Sequence, residues 1–239
     1  MNTETPSRRR GGRTARLAGA RPAPADLPPD LRLVREGLRT PPAPDRTLVI
    51  ACGALAHEIV ALIRVNGWDH LHLHCLPAIL HNTPDAIPDA VAAALDRMPH
   101  ARAYVAYADC GTGGRLEALC AARGVRMIAG PHCYAFYEGV DAFAARTADG
   151  ADMRAFYVTD FLARQFDAFV TVPLGLDRHP DLREVYFGEY DTLVHQAQTD
   201  DAGLEAMARA HADALGLRYE RRLTGYGDLA AAIAGAGRD

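Results

Sequence analysis

Three of the five cysteines stand where chemistry is easiest to build. Cys52 ends the run TLVIAC, Cys110 follows AYVAYAD, and Cys133 follows VRMIAGPH, so each lies where an expected strand stops. In an open α/β sheet such carboxyl ends line one crevice, and ligands bind there. Cys52 directly precedes an expected helix, and Cys110 precedes Gly111-Thr112-Gly113-Gly114, which opens another. A thiol at a helix N-terminus meets the positive end of the dipole, which favours thiolate, the form that binds metal or attacks carbon. Cys52, Cys110 and Cys133 with His81 as fourth ligand would make a tetrahedral zinc site, and His132 competes for that fourth place. The three sulfurs alone also suit a [4Fe–4S] cluster with one open iron. The ligands are far apart in sequence and form no CxxC pair, so buried core thiols are the competing reading.

The polar residues around these junctions suggest a small ligand. Gly111, Thr112, Gly113 and Gly114 allow close backbone approach and an anion nest for a carboxylate or phosphate. CGTGG is neither the GxGxxG fingerprint nor a phosphate loop with its lysine. Asp109 and Tyr134 adjoin the cysteines and are the expected catalytic groups. Cys75 and Cys120 read as packing residues. His57-Glu58 has no second histidine four residues later, so the zinc-protease pattern fails. Asp200-Asp201 reads as a helix cap. If no metal is held, Cys52 and Cys110 could flank a substrate carbon as an acid/base pair, an arrangement that resembles the aspartate/glutamate racemases.

Composition narrows the classes. At 239 residues the chain can bury a full core, and its net charge of -4 gives no field that favours nucleic acid or anionic membrane. All 26 basic residues are Arg, which excludes a lysine Schiff base. No apolar run approaches the roughly 20 residues of a membrane span, and Arg8-Arg9-Arg10 has no hydrophobic stretch behind it. Five cysteines without a secretory signal point to reduced thiols and a cytoplasmic setting.

The elements that must position these residues follow from periodicity. Residues 1–44 are rich in Arg, Pro and Ala and are expected to be a disordered tail, with a short helix at Asp30–Leu38. From there, 45–239 reads as an α/β domain. Strands are expected at Thr47–Ala51, His70–Cys75, Ala103–Ala108, Arg126–Ala129, Ala155–Thr159, Thr192–Gln198 and Leu217–Leu223. Helices are expected at Ala54–Val65, Pro88–Met98, Gly114–Arg123, Tyr134–Arg146, Phe161–Phe169, Gly203–Leu215 and Tyr226–Ala234, with a loop-rich insertion at Leu174–Phe187. This alternation implies a three-layer α/β sandwich with a mainly parallel sheet; the alternative is two similar α/β halves, 45–149 and 150–239.

The segments IACGAL, LHNTP, YADCGTGG and GPHCY, followed by YVTDF, resemble the domain-of-unknown-function family numbered 1638, over roughly Thr47 to Ala234. Divergent members of that family carry Tyr-Gly-x-Cys-Gly where this chain has Tyr107-Ala108-Asp109-Cys110-Gly111, and an Asp where it has His132. The resemblance implies a metal-binding role beside corrinoid-dependent methyltransferases, in one-carbon transfer to a thiol or similar small molecule. A corrinoid protein or a methyltransferase would then be the partner, since Asp177-Arg178-His179 lacks the spacing of a corrinoid-binding module. A non-catalytic partner of such a system is the third class.

Overall fold

A strand that re-enters a sheet in the same direction needs a crossover helix, so strand–helix alternation dictates parallel pairing. The computed structural model describes residues 27–148, 150 and 152–237. In it β1 (Thr47–Cys52) is buried at all six positions, as expected of a central parallel strand covered on both faces. It pairs in parallel with β2 (Leu71–Leu76) and β3 (Arg102–Ala106), and β3 pairs with the two-residue β4 (Arg126–Met127), giving the order β2-β1-β3-β4. In this register Cys52 lies opposite Leu76, and Ala51 lies opposite Ala106.

The strands after residue 150 do not join this sheet. β5 (Ala155–Thr159), β6 (Thr192–Ala197) and β7 (Arg218–Leu223) form a second parallel sheet in chain order. The fold is the expected α/β alternation of helices with parallel strands, arranged as two parallel sheets, each with its own core. The expected cut near 150 does not follow the packing throughout. Helix α10 (Gly227–Ala236) buries Leu229, Ala230 and Ile233 in the first core.

Ten α-helices, three short 3₁₀ segments and a π-helical turn at Asp167–Thr171 accompany the strands among the described residues. Before β1, α1 (Asp30–Arg35) buries Leu33 and Val34, so apolar residues ahead of the sheet belong to the core. The rest of the expected tail, residues 1–26 with Arg8-Arg9-Arg10, lies outside the described residues. α2 (Ala56–Asn66), α3 (Ile87–Arg97) and α4 (Arg115–Ala122) are the crossovers of the first sheet. The helix expected over Tyr134–Arg146 is two, α5 (Cys133–Glu138) and α6 (Val140–Thr147). They part at Gly139, at φ +93°, where the Asp228 carboxylate accepts from Val140 N–H at 2.8 Å. α7 (Asp160–Arg164) begins under a Thr159 cap, α8 (Leu182–Phe187) lies in the expected insertion, and α9 (Ala202–Leu215) is capped by Asp201. That cap is the role read for the Asp200-Asp201 pair.

Polar contacts tie the halves together. The half-buried Asp30 of α1 accepts from His57 of α2 at 2.6 Å and from Arg164 of α7 at 2.5 Å. Burial works against its charge, but those two partners hold its carboxyl down to about 2. Within the second half, Asp160, buried at the start of α7, accepts from His195 Nε2 at 2.9 Å and from the Thr199 N–H and hydroxyl.

The link from α1 to β2 rests on Gly37. Its φ is +73°, and an added Cβ would stand 1.9 Å from the Cys75 carbonyl oxygen. Gly67 has a similar φ of +62° with open space around it. Chemical denaturation should therefore separate the two alanine variants. Gly67→Ala should cost about 1–2 kcal/mol, the ordinary left-handed penalty, and Gly37→Ala about 3 kcal/mol or more.

Candidate metal centre

The cysteines converge because two backbone hydrogen bonds carry the chain past the short fourth strand. Asp109 N–H donates to Gly130 O at 3.0 Å, and Cys110 N–H donates to Pro131 O at 2.9 Å. This holds the exit of β3 against the entry to α5, where Cys133 is the first residue. The sulfurs of Cys110 and Cys133 approach to 3.1 Å. His81 comes from a single 3₁₀ turn, Ala78–Asn82, that follows β2. One ligating atom each of His81, Cys110 and Cys133 lies within 4.8 Å of the others, close enough to bind a metal ion.

Cys52 is adjacent to this group but not part of it. Its sulfur lies 3.6 Å from His81 Nδ1 and accepts from Ala54 N–H at 3.4 Å. The His81 ring therefore touches Cys52 on one side and hydrogen-bonds Cys110 as well. His132 is also outside the group. Its ring stacks on Tyr134 with centroids 4.9 Å apart. Of the two candidate histidines, His81 is the one placed among the sulfurs. His179 is exposed, and Cys75 and Cys120 are buried packing residues.

The close sulfur pair sets the protonation states. A hydrogen bond from Cys133 lowers the Cys110 thiol to about 5, against the opposing effect of burial and with help from His81. The same hydrogen bond, with burial, pushes Cys133 well above the ordinary thiol range. Burial disfavours charge on His81, but the Cys52 sulfur and hydrogen bonds to Cys110 and Cys52 carry it well above its ordinary value. The helix-dipole cause expected for Cys110 is not the operative one. The residue sits at φ +49° in a turn, and α4 begins only at Arg115.

The glycine turn is occupied by the chain itself. Asp109 Oδ1 accepts from the Thr112 hydroxyl at 2.8 Å and from Gly114 N–H at 2.7 Å, while Oδ2 accepts from Gly113 N–H at 3.2 Å. The nest expected to take a substrate carboxylate thus holds Asp109, and these donors, Gly114 first, keep its carboxyl below the ordinary range. An acid one residue ahead of the turn reaches those N–H groups at a far smaller entropic cost than a free ligand. Asp109 accordingly organises the turn, and Gly111, Thr112, Gly113 and Gly114 serve it.

Tyr134 lines a cavity of about 290 Å³ that also reaches His81 and Cys133. Tyr157 stacks on it with centroids 5.1 Å apart, and Phe156, Phe161 and Phe169 extend an aromatic wall. Among the described residues, no carboxylate and no guanidinium lines this cavity. Burial, then the neighbouring Tyr157, raises the Tyr134 phenol far above its usual value and so favours its protonated form.

One residue escaped the sequence reading. Tyr107, the first residue after β3 and inside YADCG, is fully buried, and burial followed by the nearby sulfurs of Cys52, Cys133 and Cys110 raises its phenol. Its hydroxyl has no hydrogen-bond partner among the described residues. The only signal for it was its place beside Asp109, and an apolar strand tail masks such a residue as core.

The Cys110 shift generates a titration. Its folded value of about 5 is below the ordinary thiol value of about 8.5, so the ionised form stabilises the metal-free fold above the unfolded value and that contribution is lost as pH falls through about 5. Ultraviolet thiolate absorbance of the metal-free protein should persist at neutral pH, disappear with a midpoint near about 5, and be missing in Cys110→Ser.

Residues 75–233 match the family model described as "Protein of unknown function (DUF1638)". His81, Cys110 and Cys133 lie inside the matched range, while Cys52 and β1 precede it, so the match is shorter than the Thr47–Ala234 span expected from the motifs. No curated protein and no solved structure matches the chain. With its matched range covering most of the chain and all three converging residues, the protein belongs to the DUF1638 family.

Proposed function

We propose that the protein binds a single zinc ion through His81, Cys110 and Cys133 and leaves one position for a small ligand. The observation that carries this reading is the convergence of one imidazole and two sulfurs within 4.8 Å, in a family-matched segment. Two thiolates, one histidine and an open fourth place are a donor set seen in catalytic zinc sites. Sulfurs on one tetrahedral zinc stand about 3.8 Å apart, so a 3.1 Å pair needs to open by less than an ångström. The unpartnered Tyr107 hydroxyl fits as well, since it can donate to a thiolate.

A [4Fe–4S] cluster is favoured less. Its cysteines each take a different iron and must stand apart, whereas Cys110 and Cys133 touch and Cys52 is outside the group. The two-cysteine acid/base reading also loses support, because the His81 ring occupies space between Cys52 and Cys110 that a substrate carbon would need.

The cavity selects the ligand. Its aromatic lining suits a small uncharged molecule, and a thiol would suit the open metal position better than the carboxylate first expected. When bound, zinc would supply a Lewis acid that holds a ligand sulfur as thiolate. The chain's own contribution is to exclude water with Phe156 and Phe161, wall the ligand with the stacked pair Tyr134 and Tyr157, and donate from Tyr107. Methyl transfer to such a thiol, with a corrinoid protein as donor partner, is the one-carbon reading the family resemblance adds. The five free thiols support a reducing, cytoplasmic setting, and no helix among the described residues is long and apolar enough to cross a membrane.

Zinc added to the metal-free protein near neutral pH should bind one per chain and release about two protons, from His81 and Cys133, because Cys110 is already ionised. Indicator-dye titration reads the protons. Cys110→Ser, Cys133→Ser and His81→Ala should each weaken binding by at least tenfold, while Cys52→Ser should change it little. Equal loss in Cys52→Ser, or no stoichiometric binding in the parent, would refute the assignment.

A further inference from the structure

A second site lies between α1, β2 and α3, outside the sulfur cluster. After Gly37 the chain runs antiparallel to β2, with Leu38 N–H donating to Cys75 O at 2.9 Å and Cys75 N–H to Leu38 O at 3.0 Å. The Thr40 hydroxyl donates to Leu73 O at 2.7 Å and also meets His72 Nε2. This pairing frames a cavity of about 540 Å³, a size suited to a small organic ligand.

The lining is cationic in a chain whose net charge is -4. Arg35 and Arg39 come from the segment ahead of β1, Arg97 from α3 and His74 from β2. Glu36 is the one acid in the lining, and it pairs with Arg32 at 2.9 Å. Among the described residues no carboxylate pairs with Arg35, Arg39 or Arg97; the only side-chain bond of Arg97 goes to Ala93 O. His74 Nδ1 is buried and has no partner among the described residues. Burial first, then the charges of His72, Arg39 and Arg97, holds His74 below its ordinary value. Leu80 and Met98 supply an apolar wall beside these groups.

We propose that this cavity binds an organic phosphate, its dianionic head held by Arg39, Arg97 and His74 and its organic part against Leu80 and Met98. Planar guanidiniums pair two N–H groups with phosphate oxygens, and several cations around one head favour a dianion over a monocarboxylate. The site also adjoins the metal centre in sequence. The turn Ala78–Asn82 presents Leu80 here and carries Ala78 and His81 to the aromatic cavity.

Calorimetric titration with phenyl phosphate, inorganic phosphate and benzoate tests the assignment on the full chain. Phenyl phosphate should bind about tenfold tighter than inorganic phosphate, through burial of its ring, and benzoate should bind more weakly than phenyl phosphate. The double variant R39Q/R97Q, whose changed side chains are exposed, should lose about a hundredfold for phenyl phosphate. Cys133→Ser, on α5 and outside the turn that carries Leu80, should leave the affinity unchanged, which separates this cavity from the metal centre. Undiminished binding in R39Q/R97Q, loss in Cys133→Ser, or a preference for benzoate would each overturn the proposal.

Discussion

The contact between the Cys110 and Cys133 sulfurs is the interaction on which the rest of the site depends. At 3.1 Å two thiolates repel and two thiols leave lone pairs facing each other, so one shared proton is the stable state. That arrangement makes Cys110 acidic and Cys133 reluctant to ionise. It places a negative charge beside His81, which becomes a cation despite its burial. The backbone supports the contact at a conformational cost, since Cys110 sits at a positive φ that side chains other than Gly seldom adopt. Asp109 offsets that cost by gathering the N–H groups of Gly113 and Gly114.

The aromatic cavity beside the sulfurs is fixed from below. The Tyr157 hydroxyl donates to Asp152 at 2.7 Å, and Asp152 is also bound by Arg146 and Arg222, which share Glu138. Burial works against the Asp152 charge, yet the Tyr157 hydroxyl and the two guanidiniums keep its carboxyl near about 2. A network of paired charges this dense holds one ring orientation, and that ring stacks on Tyr134. The second sheet thus contributes a rigid wall to a site whose donors come from the first. The paired Asp30, His57 and Arg164 fasten the same two halves elsewhere.

Much of this was legible in the sequence. A β-branched run ending at Cys52 and an apolar run ending shortly before Cys110 pointed to the strand ends, because parallel central strands leave continuous apolar signatures. His81 was findable as a polar ring in a short turn between apolar residues. Other features were not readable, for physical reasons. The partner of a parallel strand is set by packing of its crossover, so nothing in the run Ala155–Thr159 says that it starts a new sheet. Whether a glycine turn takes a ligand or its own neighbour depends on reach, and Asp109 was close enough to close the nest. Cys52 and Cys133 both occupy junctions, but only the pairing beyond β3 brings one of them against Cys110.

X-ray absorption at the zinc edge of the loaded protein tests the central assignment most directly. The account predicts a four-coordinate first shell with two sulfurs at about 2.3 Å, one imidazole nitrogen at about 2.0 Å and one light-atom ligand, replaced by a third sulfur when a small thiol is added. Three or four protein sulfurs before any thiol is added, or a shell of oxygen and nitrogen alone, would contradict it.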